Sequence, residues 1–91
     1  MEKSIGAPEQ ICLQKLLRQV RKEAGLTQVA LAARLATGQA TISNYERGER
    51  RLDLVELRHV CTAIGIELRE FIVRFEEVCQ NAKEQEAPQA N

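Results

Sequence analysis

The residues that could do covalent, acid–base or metal chemistry here are few. They are one histidine (His59), three cysteines (Cys12, Cys61, Cys79) and the adjacent carboxylates Glu76 and Glu77, in a chain of 91 residues. Their spacing excludes most of that chemistry. There is no C-x-x-C and no H-E-x-x-H, and only Cys61 lies close to His59 in sequence, so no zinc cage follows from the spacing. Neighbouring residues on a helix point about 100° apart, so Glu76 and Glu77 are not a carboxylate dyad. An odd number of widely spaced cysteines argues against a disulfide scaffold and for reduced, mostly buried thiols in a cytoplasmic protein. A G-x-S-x-G, a Walker A loop and a G-x-G-x-x-G are all absent. The sequence therefore points to no enzyme, no metal and no cofactor.

A different chemistry is concentrated between residues 27 and 48. Thr27, Gln28, Gln39, Thr41, Ser43 and Asn44 are short hydrogen-bonding side chains around the small Ala40. Gln and Asn carry a donor and an acceptor side by side, which matches the edge of adenine in a DNA major groove. The charge is uneven as well. Residues 15–51 hold eight basic and three acidic side chains, whereas residues 52–91 hold four basic and eight acidic, within a chain of zero net charge. A basic middle ahead of an acidic end fits a polyanion partner for one face.

The elements that must position these side chains are helices. The only aromatics are Tyr45, Phe71 and Phe75, so the core is aliphatic. Pro8 and Glu9 fit a helix start, and Leu13, Leu16, Leu17, Val20 and Ala24 recur at helical spacing until Gly25. Thr27 caps a short second helix with Leu31, Ala32 and Leu35 on its inner face. Gly38 caps a third over Gln39 to Arg47, with Ile42 and Tyr45 inward, and Gly48 ends it. Asp53 caps a fourth with Leu54, Leu57, Val60, Cys61 and Ile64, ended by Gly65. A fifth carries Leu68, Phe71, Ile72, Phe75, Val78 and Cys79. No strand alternation persists and no apolar run approaches the ~20 residues of a membrane span. The expected organisation is a loose N-terminus over 1–7, one all-α, five-helix domain over 8–79, and a frayed polar tail over 80–91.

The second and third helices are joined by the short turn Ala36-Thr37-Gly38, and Ala32 is small where the two must cross. Two short helices around such a turn are the geometry of a helix-turn-helix, whose second helix enters the major groove. Ile42 and Tyr45 face in, which leaves Gln39, Ala40, Thr41, Ser43 and Asn44 for the outer face. The start of the second helix, Thr27-Gln28, can hold a phosphate through free N–H groups.

The run from Leu17 to Arg51 resembles the lambda-repressor-like, or Cro/XRE, helix-turn-helix domain. The matching pieces are Arg21-x-x-x-Gly25-Leu26-Thr27-Gln28, Leu31-Ala32, Gln39-x-Thr41-Ile42-Ser43 and Glu46-x-Gly48, followed by Leu57 and Ala63-Ile64-Gly65-Ile66. The resemblance covers about residues 13–75. It implies that Gln28 contacts a phosphate and braces the recognition helix, and that Gln39, Ala40 and Asn44 face base edges. Thr41 and Ser43 would reach backbone or bases, and Arg47, Arg50 and Arg51 would lie near phosphates. Arg21 and Glu46 occupy positions that form an internal ion pair in some members. Ala36 stands where the turn usually has glycine; a left-handed backbone there would make alanine unfavourable by about 1 kcal/mol.

The expected function is a sequence-specific DNA-binding transcriptional regulator, a repressor, working as a homodimer on a pseudo-palindromic operator of double-stranded DNA. Phe75, Val78 and Cys79 extend past the usual end of such a domain and are candidates for the dimer contact, the alternative being that they fold back on their own subunit. Two other readings stay open at this point. One is an antitoxin whose acidic end binds a toxin or other protein partner. The other is an interaction module that has kept the bundle and lost DNA.

Overall fold

In the computed structural model, which describes residues 7–86, the chain is laid out as five helices with no strand among those residues. They are α1 (Ala7–Glu23), α2 (Gln28–Arg34), α3 (Gln39–Arg47), α4 (Leu54–Ile64) and α5 (Leu68–Glu86). The boundaries follow from local chemistry. Thr27 accepts a hydrogen bond from the Ala30 N–H at 3.0 Å and so caps α2. Asp53 accepts from the Glu56 N–H at 2.7 Å, while the Glu56 carboxylate accepts from the Asp53 N–H at 2.9 Å, a reciprocal capping box for α4. Gly48 closes α3 at φ +80°, where the N–H groups of Glu49 and Arg50 both turn back to the Asn44 carbonyl. Any side chain there would carry the left-handed penalty and run into the Gln14 amide.

The fifth helix outlasts the expected boundary. Its apolar stripe fades around Cys79, yet it continues to Glu86. Residues 80–86 are mostly Gln, Ala, Lys and Glu, which favour the helix. Once a helix is nucleated, each further residue adds a hydrogen bond for little ordering. The expected frayed tail is therefore corrected for residues 80–86. Ala7 belongs to α1, and the remaining terminal expectations, over 1–6 and 87–91, lie outside the described residues.

Phe71 of α5 is fully buried in the middle of the core. It lies among Leu16, Leu17 and Val20 of α1, Leu31 and Ala32 of α2, Ile42 and Tyr45 of α3, and Leu57, Val60, Cys61 and Ile64 of α4. Leu13, Leu26, Leu35, Leu52 and Phe75 pack partly buried around it. The closest-packed helix pair is α2 with α3, and the buried Ala32 leaves room for that approach.

The turn between α2 and α3 is a Schellman closure with the wrong residue type at its strained position. The Thr37 N–H reaches the Ala32 carbonyl at 3.0 Å and the Ala36 N–H reaches the Ala33 carbonyl at 3.1 Å. This puts Ala36 at φ +56°, the one non-glycine residue with positive φ among those described. Left-handed backbone is unfavourable for alanine by about 1–2 kcal/mol, and glycine returns about 0.4–1 kcal/mol of that through its freer unfolded chain. Ala36→Gly is expected to stabilise the domain by about 0.5–1 kcal/mol and to raise Tm by roughly 2–8 °C in a calorimetric scan. A lowered Tm would show that the turn does not hold this conformation in solution.

Of the three cysteines only Cys61 is buried; Cys12 and Cys79 are half-buried, so the expectation of mostly buried thiols holds for one of them. Removal from water pushes the Cys61 thiol up to about 11. Because the unfolded thiol ionises first, Cys61 adds stability that is complete below pH ~9 and lost as pH rises towards ~11. Urea titrations at intervals across that window should show the decline, and Cys61→Ala should flatten it. A wild-type midpoint that stays level through the window would exclude the effect.

Candidate nucleic-acid interface

Helix α3 is held from beneath by Ile42, which is fully buried, and by Tyr45. Its opposite side carries Gln39, Ala40 and Arg47 exposed, with Thr41, Ser43 and Asn44 half-buried. Side chains three and four apart share a helical face, so the sequence forces this division once Ile42 and Tyr45 face inward.

Beneath the outer face runs a chain of polar contacts. The Arg21 guanidinium grips Glu46 in a bidentate pair, Nε to Oε2 at 2.6 Å and Nη2 to Oε1 at 3.0 Å. Its Nη1 donates to the Leu26 carbonyl at 2.8 Å. The pair is almost fully removed from water, with side-chain exposures of 7% and 3%. Gln28 then donates from Nε2 to Glu46 Oε1 at 3.0 Å, and Gln39 donates from Nε2 to Gln28 Oε1 at 2.9 Å. A carboxylate only accepts, so Glu46 sets the direction of the whole series. It turns the Gln28 amide nitrogen inward and leaves its oxygen to receive Gln39. The Gln39 oxygen and its second N–H are left for an outside partner.

A second cluster lies further along the same helix. Arg47 donates to Ser43 Oγ and to Asn44 Oδ1, both at 2.9 Å, and to Glu49 Oε1 at 3.1 Å. All of these groups are in contact with water, so the cluster is loosely held. Thr41 shares a hydrogen bond of 3.0 Å with Thr37 in the turn. Arg50 lies exposed over the Tyr45 ring at 5.5 Å, with Glu56 at 3.5 Å. Arg51 is exposed and enters no ion pair among the described residues. The Thr27 hydroxyl is occupied as the α2 cap.

The site residues thus fall into two groups, one braced (Gln28, Gln39, with Arg21 and Glu46 behind them) and one joined only by exposed contacts (Ser43, Asn44, Arg47). Glu49 and Thr37 belong to this surface and were not singled out in the sequence. The alternation Glu46, Arg47, Glu49, Arg50 was the available signal for Glu49. Phe75 packs against the core of its own subunit, while Phe75, Val78 and Cys79 all keep partial exposure. Among the described residues no three His, Cys, Asp or Glu side chains converge as metal ligands. No described helix is long and apolar enough to cross a membrane.

Known proteins share this fold. A helix-turn-helix family model matches residues 17–71. The solved structure of an XRE-family like protein from Pseudomonas syringae pv. tomato is 37% identical, with a TM-score of 0.77 over 84% of this chain and 93% of that one. The clp gene regulator ClgR from Corynebacterium glutamicum is 26% identical, with a TM-score of 0.72 over 88% of this chain and 87% of its own. No curated protein sequence matches the chain. From the family match over most of its helices, and from the relative that is 37% identical over 84% of it, the chain belongs to the XRE, or Cro/C1-type, family of helix-turn-helix DNA-binding proteins.

Proposed function

We propose that this protein is a sequence-specific transcriptional repressor that binds a pseudo-palindromic operator as a two-fold dimer, with α3 of each subunit in the major groove. The observation that carries the reading is the braced Gln39. Its amide is oriented by Gln28 and Glu46, with one acceptor and one donor directed outward. That pair matches adenine, and holding it in place before DNA arrives reduces the entropy lost on binding. Ala40 beside it suits a thymine methyl group, and Asn44 supplies a second amide one helical turn on. Arg47, Arg50 and Arg51 serve the phosphates. The similarity to a protein described as a gene regulator points the same way.

A two-fold pair would set the recognition helices about 34 Å apart, one turn of B-DNA. The partly exposed edge of α5 around Phe75, Val78 and Cys79 is the proposed contact between subunits. Occlusion of a promoter is the mechanism that requires nothing more than this domain.

Fluorescence anisotropy tests the proposal. The DNA just upstream of the protein's own gene is titrated beside a scrambled duplex at several salt concentrations. Binding to the first duplex alone is expected, with two chains per duplex. Three arginines in each of two subunits give a slope of log K against log salt near −5. Equal binding to both duplexes, or binding to neither, would overturn it.

A further inference from the structure

Helix α3 ends on the left-handed Gly48, and the Glu49 N–H returns to the Asn44 carbonyl at 2.9 Å. That closure folds the backbone of Glu49 back over the last turn of α3, where its carboxylate accepts from Arg47 Nη2 at 3.1 Å. The same Nη2 also donates to Asn44 Oδ1, and Nη1 donates to Ser43 Oγ, both at 2.9 Å. Three N–H groups of Arg47 are thus engaged within the surface that α3 turns outward. The neighbouring acids have other partners: Glu46 is sealed on Arg21, and Glu56 faces Arg50. The Arg47–Glu49 pair itself is open to water, with side-chain exposures of 58% and 62%. A pair this exposed contributes little to the fold, and whatever reaches it from solution can compete for the guanidinium.

We propose that Glu49 is a positioning residue for DNA binding: it holds Arg47 against Ser43 and Asn44 until a backbone phosphate takes the guanidinium over. The inference rests on the DNA-binding reading above and adds to it a step that precedes contact. The guanidinium fork suits a carboxylate and a phosphate alike, so the two compete for one cation. Arg47 must leave Glu49 before it can neutralise a phosphate, and Glu49 therefore weakens binding to every duplex, whatever its sequence. When Arg47 leaves, Ser43 Oγ and Asn44 Oδ1 lose the donor they share. The oxygen of Asn44 is the acceptor half of the pair that matches adenine, so the phosphate contact and the base contact become linked through one side chain. Glu49 acts through Arg47 and touches no base.

The test is a double-mutant cycle on the full chain, with Glu49→Gln made in the unaltered protein and in Arg47→Ala. Affinities for the upstream and the scrambled duplex are measured at about 0.15 M salt, where exposed charges more than about 8 Å apart are largely screened. Glu49→Gln should tighten binding about two- to fivefold per subunit, on both duplexes alike. In the Arg47→Ala background the same change should leave affinity where it was. Without DNA, Glu49→Gln should also move the side-chain amide signals of Asn44 in NMR spectra, because Arg47 is loosened. Glu67→Gln, which removes an exposed acid beside Arg69, is the control and should do neither. Equal tightening with and without Arg47 would overturn the proposal and make Glu49 a plain repulsive charge. No tightening, or unmoved Asn44 signals, would overturn it as well. Equal binding of the unaltered protein to both duplexes would sink the operator reading alone, since the cycle still decides the role of Glu49. Binding to neither would overturn both.

Discussion

Glu46→Ala should be the most damaging single change in the domain, lowering stability by about 3–5 kcal/mol. The reason is what remains behind. Arg21 stays buried with its guanidinium still bonded to the Leu26 carbonyl, and the carboxylate that balances its charge is gone. Gln28 loses its acceptor at the same time. A small domain has only about 5–15 kcal/mol of stability in total, so Tm should fall by more than about 12 °C, and part of the population should unfold at 37 °C. Urea unfolding followed by circular dichroism measures this directly. The double variant Arg21→Met with Glu46→Leu should recover most of the loss, because it removes both charges together and fills the same space. A loss below about 1 kcal/mol for Glu46→Ala would mean that the pair is solvated in solution and acts as a surface bridge does.

The second large effect is expected on DNA. Gln39→Ala with Asn44→Ala removes both outward amides of α3. Each bidentate base contact contributes about 1–3 kcal/mol of discrimination, so the double variant should lose at least about thirtyfold in its preference for operator over scrambled duplex. Non-specific, salt-sensitive binding should persist, since the arginines are untouched. The fold should hold, because both side chains reach water and surface substitutions of this kind usually shift stability by no more than about 0.5 kcal/mol. Operator preference equal to wild type in that variant would remove α3 as the reading surface and leave the assignment of Gln39 and Asn44 without support.

The helices were legible where the cue was local. Thr27 and the Asp53–Glu56 pair announce starts, Gly48 and Gly65 announce stops, and the inward residues recur at three and four. The end of α5 was not legible, because Gln, Lys and Glu extend a helix without leaving a period. Contacts between distant segments were beyond local reading altogether. Arg21 and Glu46 lie 25 residues apart, and only the family resemblance joined them. The hand-off from Gln28 to Gln39 likewise needs both helices in place before it exists.

That hand-off bears on how such a protein could change its target over generations. Gln39 differs from its neighbours on α3 in one respect: replacing it breaks the bond to the Gln28 oxygen, whose amide Glu46 orients, and leaves that oxygen to water. On the proposed reading, residue 39 and residue 28 should therefore tend to change together. Ala40, Ser43 and Asn44 lack any tie to the buried pair and are free to vary one at a time. On the same reading, relatives that keep Gln28 and Glu46 should share one base step in their operators while the neighbouring steps scatter.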